Sequence, residues 1–307
     1  MKNQEYKKTV DLLLDILPFA LEDERVALKG GTAINLFHRD FPRFSVDIDL
    51  CYLPLESRDA TYKNLHEILQ NIKNHLENKL KLKVNTSSPL NGKKEAKLIA
   101  IKDGVEVKIE PNFILRSSLF DTQDIELSKK AQKEFEKLVT VRCLNIADTF
   151  GGKICAALDR QHPRDLFDVK NLFDNEGITA DVKDSFIFYL ISHNRSINEL
   201  LNPNFKDIEK EYKNEFVSMA KVDVPLDELL EVRVRLVQGI KSALTENDKS
   251  FLISFVSNKP DWSLVRDDKI KDFPSVKWKI LNQEKLELKD KVKHKNYVDS
   301  LKNLLKS

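Results

Sequence analysis

Lys29-Gly30-Gly31-Thr32-Ala33-Ile34 and, a short interval later, Phe41-Pro42-Arg43-Phe44-Ser45-Val46-Asp47-Ile48-Asp49-Leu50 carry the densest chemical pattern in the chain. Val26-Ala27-Leu28 reads as a short strand, the two glycines as its break, and Ala33 to Phe37 as the start of a helix. Val46 to Leu53 then alternates: Val46, Ile48 and Leu50 point one way, Asp47, Asp49 and Cys51 the other. That is the period of a half-buried strand. Two Asp at i and i+2 on a strand share one face, roughly 6.5–7 Å apart along the chain. Such a pair suits hard divalent cations, which in two-metal sites lie about 3.5–4 Å apart. Gly30-Gly31 at a strand-to-helix turn lets backbone approach phosphate closely, and the helix start supplies free N–H donors. Thr32 can cap that helix or donate to a phosphate oxygen. Asp-x-Asp alone is commonly a solvated face, and Gly-Gly alone is commonly a turn. Together, with Arg43 and Ser45 just upstream of the acids, they point to nucleotide chemistry.

Outward from this core, the first twenty residues read as a helix with Val10, Leu13, Leu14 and Leu17 on one face. Residues 59–80 form a long helix. Strands follow at Lys83–Thr86, Lys97–Ile101 and Val105–Glu110, with Asp103-Gly104 as a two-residue hairpin turn between the last two. Val139–Cys143 is a further short strand. From about residue 145 the alternation stops and helical periodicity takes over. Leu229, Val232, Leu236, Ile240 and Leu244 form one apolar stripe, and Tyr297, Leu301, Leu304 and Leu305 another. The expectation is an α/β (α+β) protein: a mixed sheet flanked by helices over 1–144, then a helical bundle domain over 145–307. No Gly/Ser/Pro-rich linker marks the join, and a cleft between the two parts is the expected place for a ligand.

Composition narrows the classes. The chain has 307 residues with 51 basic and 49 acidic side chains, a length that favours two cores over one. Residues 1–144 carry 24 basic and 22 acidic groups, and residues 145–307 carry 27 of each. Neither half has the bulk charge of a nucleic-acid coat, so an RNA substrate needs a local patch. Three scattered Cys, no Cys-x-x-Cys and six His argue against a disulfide frame or a zinc site. No signal peptide and no apolar run of about 18 residues is visible. A soluble, cytoplasmic protein with no membrane association is expected.

The motifs resemble the DNA polymerase β-type nucleotidyltransferase superfamily. Within it, Gly-Gly-Thr, Pro-Arg-Phe-Ser and Asp-Ile-Asp are similar to the AbiEii/AbiGii toxin family, which includes MenT-like toxins. Fourteen residues separate Thr32 from Asp47, at the long end of the family's spacing, which implies a longer helix or loop. The resemblance implies a metal-dependent nucleotidyltransferase using Mg²⁺ (or Mn²⁺) and an NTP. Its acceptor would be a hydroxyl on RNA, with the tRNA 3′ end foremost, or on a protein, and an antitoxin would be encoded nearby. Asp47 and Asp49 become metal ligands and catalytic acids, and Gly30, Gly31, Thr32, Arg43 and Ser45 nucleotide-binding residues. The superfamily adds a third carboxylate. Val105, Val107 and Ile109 alternate with Glu106, Lys108 and Glu110, and Lys108-Ile109-Glu110 resembles the family's short second motif. Glu110 is therefore the third metal and catalytic acid, with Glu106 as runner-up and a solvated hairpin face as the bland reading.

Two more pieces fall in the helical part. Lys153 and Arg160, seven apart, share a helix face. Residues 155–157 are small and allow close approach. Pro163-Arg164-Asp165-Leu166-Phe167-Asp168 then opens a new helix, and by itself Asp165 is ordinary helix-start chemistry. The family's third and fourth motifs resemble this run, which implies that Lys153 binds the triphosphate and Asp165 positions it or the base. The resemblance covers residues 25 to about 175. Beyond that, a Lys-rich tail (Lys285, Lys289, Lys291, Lys293, Lys295, with His294) is most simply a solvated helix. A contact with RNA phosphates is the sharper reading, diluted by Glu287 and Asp290. The competing function classes are a non-catalytic nucleotide- or RNA-binding module, which would be expected to lose a metal acid, and a small-molecule nucleotidyltransferase.

Overall fold

The computed structural model describes residues 2–87 and 97–306. Its contacts divide the chain into two compact units: Met1–Thr149 with Glu215–Asp223, and Phe150–Asn214 with Val224–Ser307.

The first unit is built on helix α1 (Lys2–Ala20), strand β1 (Val26–Lys29), a short helical turn α2 (Gly30–Thr32) that continues as a π-helix over Ala33–His38, and strand β2 (Asp47–Tyr52). Helix α3 (Arg58–Lys79), strands β3 (Lys83–Ser87), β4 (Lys97–Lys102), β5 (Val105–Asn112) and β6 (Gln123–Glu126), helix α4 (Lys129–Phe135) and strand β7 (Thr140–Cys143) follow. The seven strands form one mixed sheet in the order β3-β4-β5-β2-β1-β7-β6. β2 runs parallel to β5 and β1 parallel to β7; the other neighbours are antiparallel.

Register explains the two faces of this sheet. Leu98 pairs with Ile109 and Ile109 with Ile48, so one row across three strands is apolar and fully buried. Leu50, Val107, Ala100 and Val84 extend it, packed in one core with Leu13, Leu14 and Leu17 of α1 and Leu65, Ile68 and Ile72 of α3. The alternation that places Ile48 and Leu50 in the core turns Asp47 and Asp49 to the opposite face. The Asp103-Gly104 turn has positive φ at both positions, 50° and 77°, the type I′ geometry that matches strand twist. The helix expected from Ala33 is present as the π-helical stretch, whereas strand β6 carries no sequence signal: Gln123-Asp124-Ile125-Glu126 holds a single apolar residue, and it forms an edge strand with nothing to alternate.

The second unit is helical: the rest of α5 (Ile146–Arg160), α6 (Pro163–Phe173), α7 (Ala180–Ser192), α8 (Ile197–Leu201), α9 (Glu209–Glu211, continuing as a π-helix over Tyr212–Phe216 whose last two residues belong to the first unit), α10 (Leu226–Ala243), α11 (Glu246–Val256), α12 (Pro274–Lys289) and α13 (Lys291–Lys306). Thr179 caps α7 by accepting from the Val182 N–H, and Thr245 and Asp248 form a reciprocal capping box on α11, each worth about 1 kcal/mol. The α10 stripe of Leu229, Val232, Leu236 and Ile240 is buried as its periodicity requires. Close approach between α5 and α7 occurs at Gly151, ahead of the small residues 155–157: a Cβ there would lie 2.6 Å from the Ser185 Cβ and 2.8 Å from the Phe186 backbone nitrogen. Gly151→Ala is expected to destabilise the chain by about 1–3 kcal/mol, read as a lower denaturation midpoint at unchanged slope. An unchanged midpoint would show that α5 and α7 separate freely.

Candidate active site

β1 ends at Lys29, and the chain turns at Gly30 with φ +74°. A Cβ at Gly30 would collide with Asp49 Oδ2, and one at Gly31 would lie 2.9 Å from both Arg43 Nη2 and Ser45 Oγ. Gly30 is favoured by its positive φ, and both glycines press the turn directly against the side chains of the following segment. Thr32 is fully buried. Its hydroxyl donates to the Asp47 carbonyl at 2.5 Å and sits 3.0 Å from Ser45 Oγ. Asn35 Nδ2 donates to the Gly31 carbonyl at 2.9 Å. Gly30, Gly31, Thr32, Arg43, Ser45, Asp47 and Asp49, which the sequence singles out, thus form one cluster. Thr32 acts as a clamp on β2 in this cluster, and its side chain makes no cap hydrogen bond to the helix.

Arg43 is buried, and its Nη1 donates to the Phe44 carbonyl at 2.7 Å. The loop bearing it is held by a segment remote in sequence. Arg43 bridges Ala220, the Phe44 N–H donates to the Met219 carbonyl at 2.9 Å, and the Lys221 N–H to the Pro42 carbonyl at 3.0 Å. The Lys221 ammonium lies 4.5 Å from the centroid of the Phe41 ring and 2.5 Å from Glu134. Nothing in the local sequence of 215–223 announces this role.

Across the sheet, Lys29 pairs with Asp49, Asp49 with Glu110, and Glu110 binds Lys97 at 2.9 Å. One row therefore reads cation, acid, acid, cation. Glu110 stands beside Asp49 as the alternation requires, but its carboxylate is engaged by Lys97. Glu110, with Asp47 as a weaker influence, raises the Lys97 ammonium above the usual lysine range. Among the described residues no three His, Cys, Asp or Glu converge as a metal cage. Glu106 is exposed and pairs with Ile101. Lys97 was missed by sequence reasoning.

In the helical unit Lys153 is buried, with its ammonium 2.8 Å from Asp165 Oδ1 and 3.0 Å from Asp168 Oδ2. Arg160 also grips Asp165, its Nη2 donating at 2.9 Å. His162 Nδ1 accepts from the Arg164 N–H at 3.1 Å, so α6 has a side-chain cap of its own. Asp165 is thus both a first-turn acid and the centre of an ion cluster, and Asp168, one turn on, is its partner. Burial works against the ionised form of Asp165, but Lys153 and Arg160 outweigh it and hold the carboxyl well below its ordinary 3.8. A carboxylate with a depressed folded-state pKa stabilises the fold above the ordinary value and loses that contribution as pH falls toward the folded-state value. The denaturation midpoint of the native chain is therefore expected to fall between about pH 5 and about pH 3 more steeply than that of Asp165→Asn. Parallel profiles would remove Asp165 from the acid response. A further buried acid, Asp148, accepts from the Leu119 and Phe120 N–H groups at 3.2 and 2.9 Å and anchors that loop.

Among solved structures, MenT4, a nucleotidyltransferase toxin from Mycobacterium tuberculosis H37Rv, is similar over 80% of this chain and 87% of that chain, at a TM-score of 0.61 and 14% identity. At that identity the likeness is one of fold. No curated protein sequence matches the chain. Residues 11–280 match the sequence profile of the family described as nucleotidyl transferase AbiEii toxin, type IV toxin–antitoxin system. Taken with the glycine turn packed against an Asp-Ile-Asp strand, this match over most of the length establishes that the chain belongs to the AbiEii family of nucleotidyltransferase toxins.

Proposed function

We propose that this toxin transfers a nucleoside monophosphate from an NTP to a hydroxyl of RNA, with the 3′ end of tRNA as the acceptor. The acceptor oxygen forms a bond to the α-phosphorus, the bond from that phosphorus to the β-phosphate oxygen breaks, and pyrophosphate leaves. The observation that carries the reading is the packing of Gly30-Gly31 against Asp49, Arg43 and Ser45: a carboxylate, a guanidinium and a hydroxyl meet at a backbone turn suited to phosphate. Arg43 and Ser45 orient the β/γ-phosphates, and catalysis is positioning plus neutralisation of charge.

Asp47 and Asp49 are the residues that would hold Mg²⁺ or Mn²⁺. The donors fit: they are hard oxygens, only partly buried, on the same strand face. Mg²⁺ characteristically takes one or two carboxylates and completes its shell with water and substrate phosphates, so no three-residue cage is needed. The bound ion would neutralise phosphate charge. Glu110 completes the acidic row, placed to assist that ion or to take the proton of the attacking hydroxyl. Lys153 supplies charge to the triphosphate, held by Asp165 and Asp168. An ammonium has three donors, and these acids take two. The toxin works in the cytoplasm, where NTPs and tRNA are present, and its type IV family implies an antitoxin. Among the described residues no helix is long and apolar enough to cross a membrane.

The test is incubation with each α-labelled NTP, Mg²⁺ and a cell lysate, followed by gel separation of RNA from protein. Label is expected on RNA of tRNA size, and to vanish with chelator. Label on protein alone would overturn the RNA acceptor. NTP binding with no label on either would favour the non-catalytic module.

A further inference from the structure

The last two helices differ from the rest of the chain in charge. Residues 274–306 hold nine Lys and four acids, net +5, whereas residues 145–273 hold 18 basic and 23 acidic groups. Two of these four acids are turned to internal work, while Glu284 is exposed on α12 and Asp299 pairs with Lys302. Glu287 Oε2 accepts from Asn258 Nδ2 at 2.7 Å, and Asp290 Oδ1 accepts from the Lys293 N–H at 2.9 Å, capping α13, where the helix dipole offsets its charge. Lys289, Lys291, Lys293 and Lys295 make no ion pair among the described residues.

The outer face of α12 carries large apolar side chains between these lysines. Trp278 is 55% exposed, Leu288 83% and, at the start of α13, Val292 70%. Trp278, Leu281, Lys285 and Leu288 follow helical spacing down one side, with the Lys285 ammonium 5.6 Å from the Trp278 ring centroid. The face is rigid because its back is pinned. Lys279 Nζ donates to the carbonyls of His193 and Arg195 at 2.7 and 2.5 Å, and Ser275 donates to Ser192 at 3.0 Å. The other Trp is not presented in this way: Trp262 packs on Phe251 and Phe255.

We propose that the outer face of α12 and the start of α13 bind RNA, with Trp278 stacking on an unpaired base and Lys285, Lys289, Lys291 and Lys293 meeting the phosphates. An exposed indole beside unpaired ammonium groups is the composition of a single-strand platform. A protein helix fits it less well, since the apolar stripe is broken by Lys285 and flanked by Lys289, whose charges an apolar partner would have to desolvate. This deepens the RNA-acceptor reading and rests on it for its ligand, but it concerns binding and not transfer.

The experiment is fluorescence anisotropy with labelled tRNA and no NTP, on the full chain, at several salt concentrations. Lys285→Glu/Lys289→Glu/Lys293→Glu is expected to weaken binding at least tenfold and to flatten its salt dependence, because each lost phosphate contact lowers the slope by about 0.7–0.9. Trp278→Ala is expected to weaken it severalfold. Trp emission of the native chain should be quenched by tRNA, and that quench should be lost in Trp278→Ala. Native tRNA binding that survives both surface variants unchanged would overturn this surface and leave the acceptor reading intact. Failure of the native chain to bind any RNA would overturn both. A change of oligomeric state in Trp278→Ala by light scattering, with RNA binding unaltered, would assign the face to a protein contact and overturn the proposal. Circular dichroism melts of both variants should match the native chain, since every altered side chain is exposed.

Discussion

Asp49→Asn is expected to reduce nucleotidyl transfer by at least about 10²–10³-fold, the cost of removing one preorganised charge-stabilising group from a reaction of this kind. Stability should change by no more than about 0.5 kcal/mol, because the side chain stands on the half-exposed face of β2 and the amide keeps its shape beside Gly30. Asp47→Asn should behave alike. Gly30→Ala should lose activity with both acids retained, since the new methyl group meets the Asp49 carboxylate and the residue must hold φ +74°. The measurements are incorporation of labelled nucleotide and a thermal melt on the same preparations. Native activity in either Asn variant would overturn the assignment of the acids. Activity in Gly30→Ala would show that the turn need not lie so close to Asp49.

Lys153→Met should destabilise the protein by up to about 3–5 kcal/mol, because removing one partner of a buried ionic cluster takes away part of the compensation of its buried acids. Asp165 keeps Arg160, and the fully buried Asp168 loses the ammonium 3.0 Å from its Oδ2. Asp168→Asn in the Lys153→Met background should recover part of that loss, giving a coupling term of the size expected for residues in contact. The lysine is therefore a poor single probe of triphosphate affinity, since its removal perturbs the helix pair that holds it. Nucleotide binding is better compared between Lys153→Arg and the native chain, with denaturation curves alongside. A Lys153→Met protein as stable as the native one would show that the cluster contributes nothing to the fold.

Legibility in the sequence followed the range of the interaction. β2 and β5 were readable because their polar and apolar residues alternate, and the same alternation placed Asp47, Asp49 and Glu110 on one face. The salt bridge from Lys97 was also within reach. The two-residue turn pairs Lys102 with Val105, and counting outward sets Lys97 opposite Glu110. Asp168 could have been found in the same way, as the i+3 neighbour of Asp165 facing one lysine. The tail acids were misleading in one dimension, because sequence does not show that Glu287 and Asp290 are spent on Asn258 and on a helix start. Strand β6 and the 219–221 contact had no such signal. The first lacks periodicity, and the second joins backbones far apart in the chain.

That last contact sets an order of events during synthesis. The loop bearing Arg43 is fastened by backbone that follows it by more than 170 residues. At about 5–20 residues per second, ribosomes need on the order of ten to thirty seconds to make that stretch. Until then the nascent chain has its carboxylates but not the fastening of its arginine loop. A product cut short before Met219 lacks it permanently, so incomplete copies of this toxin are expected to be harmless to the cell that makes them.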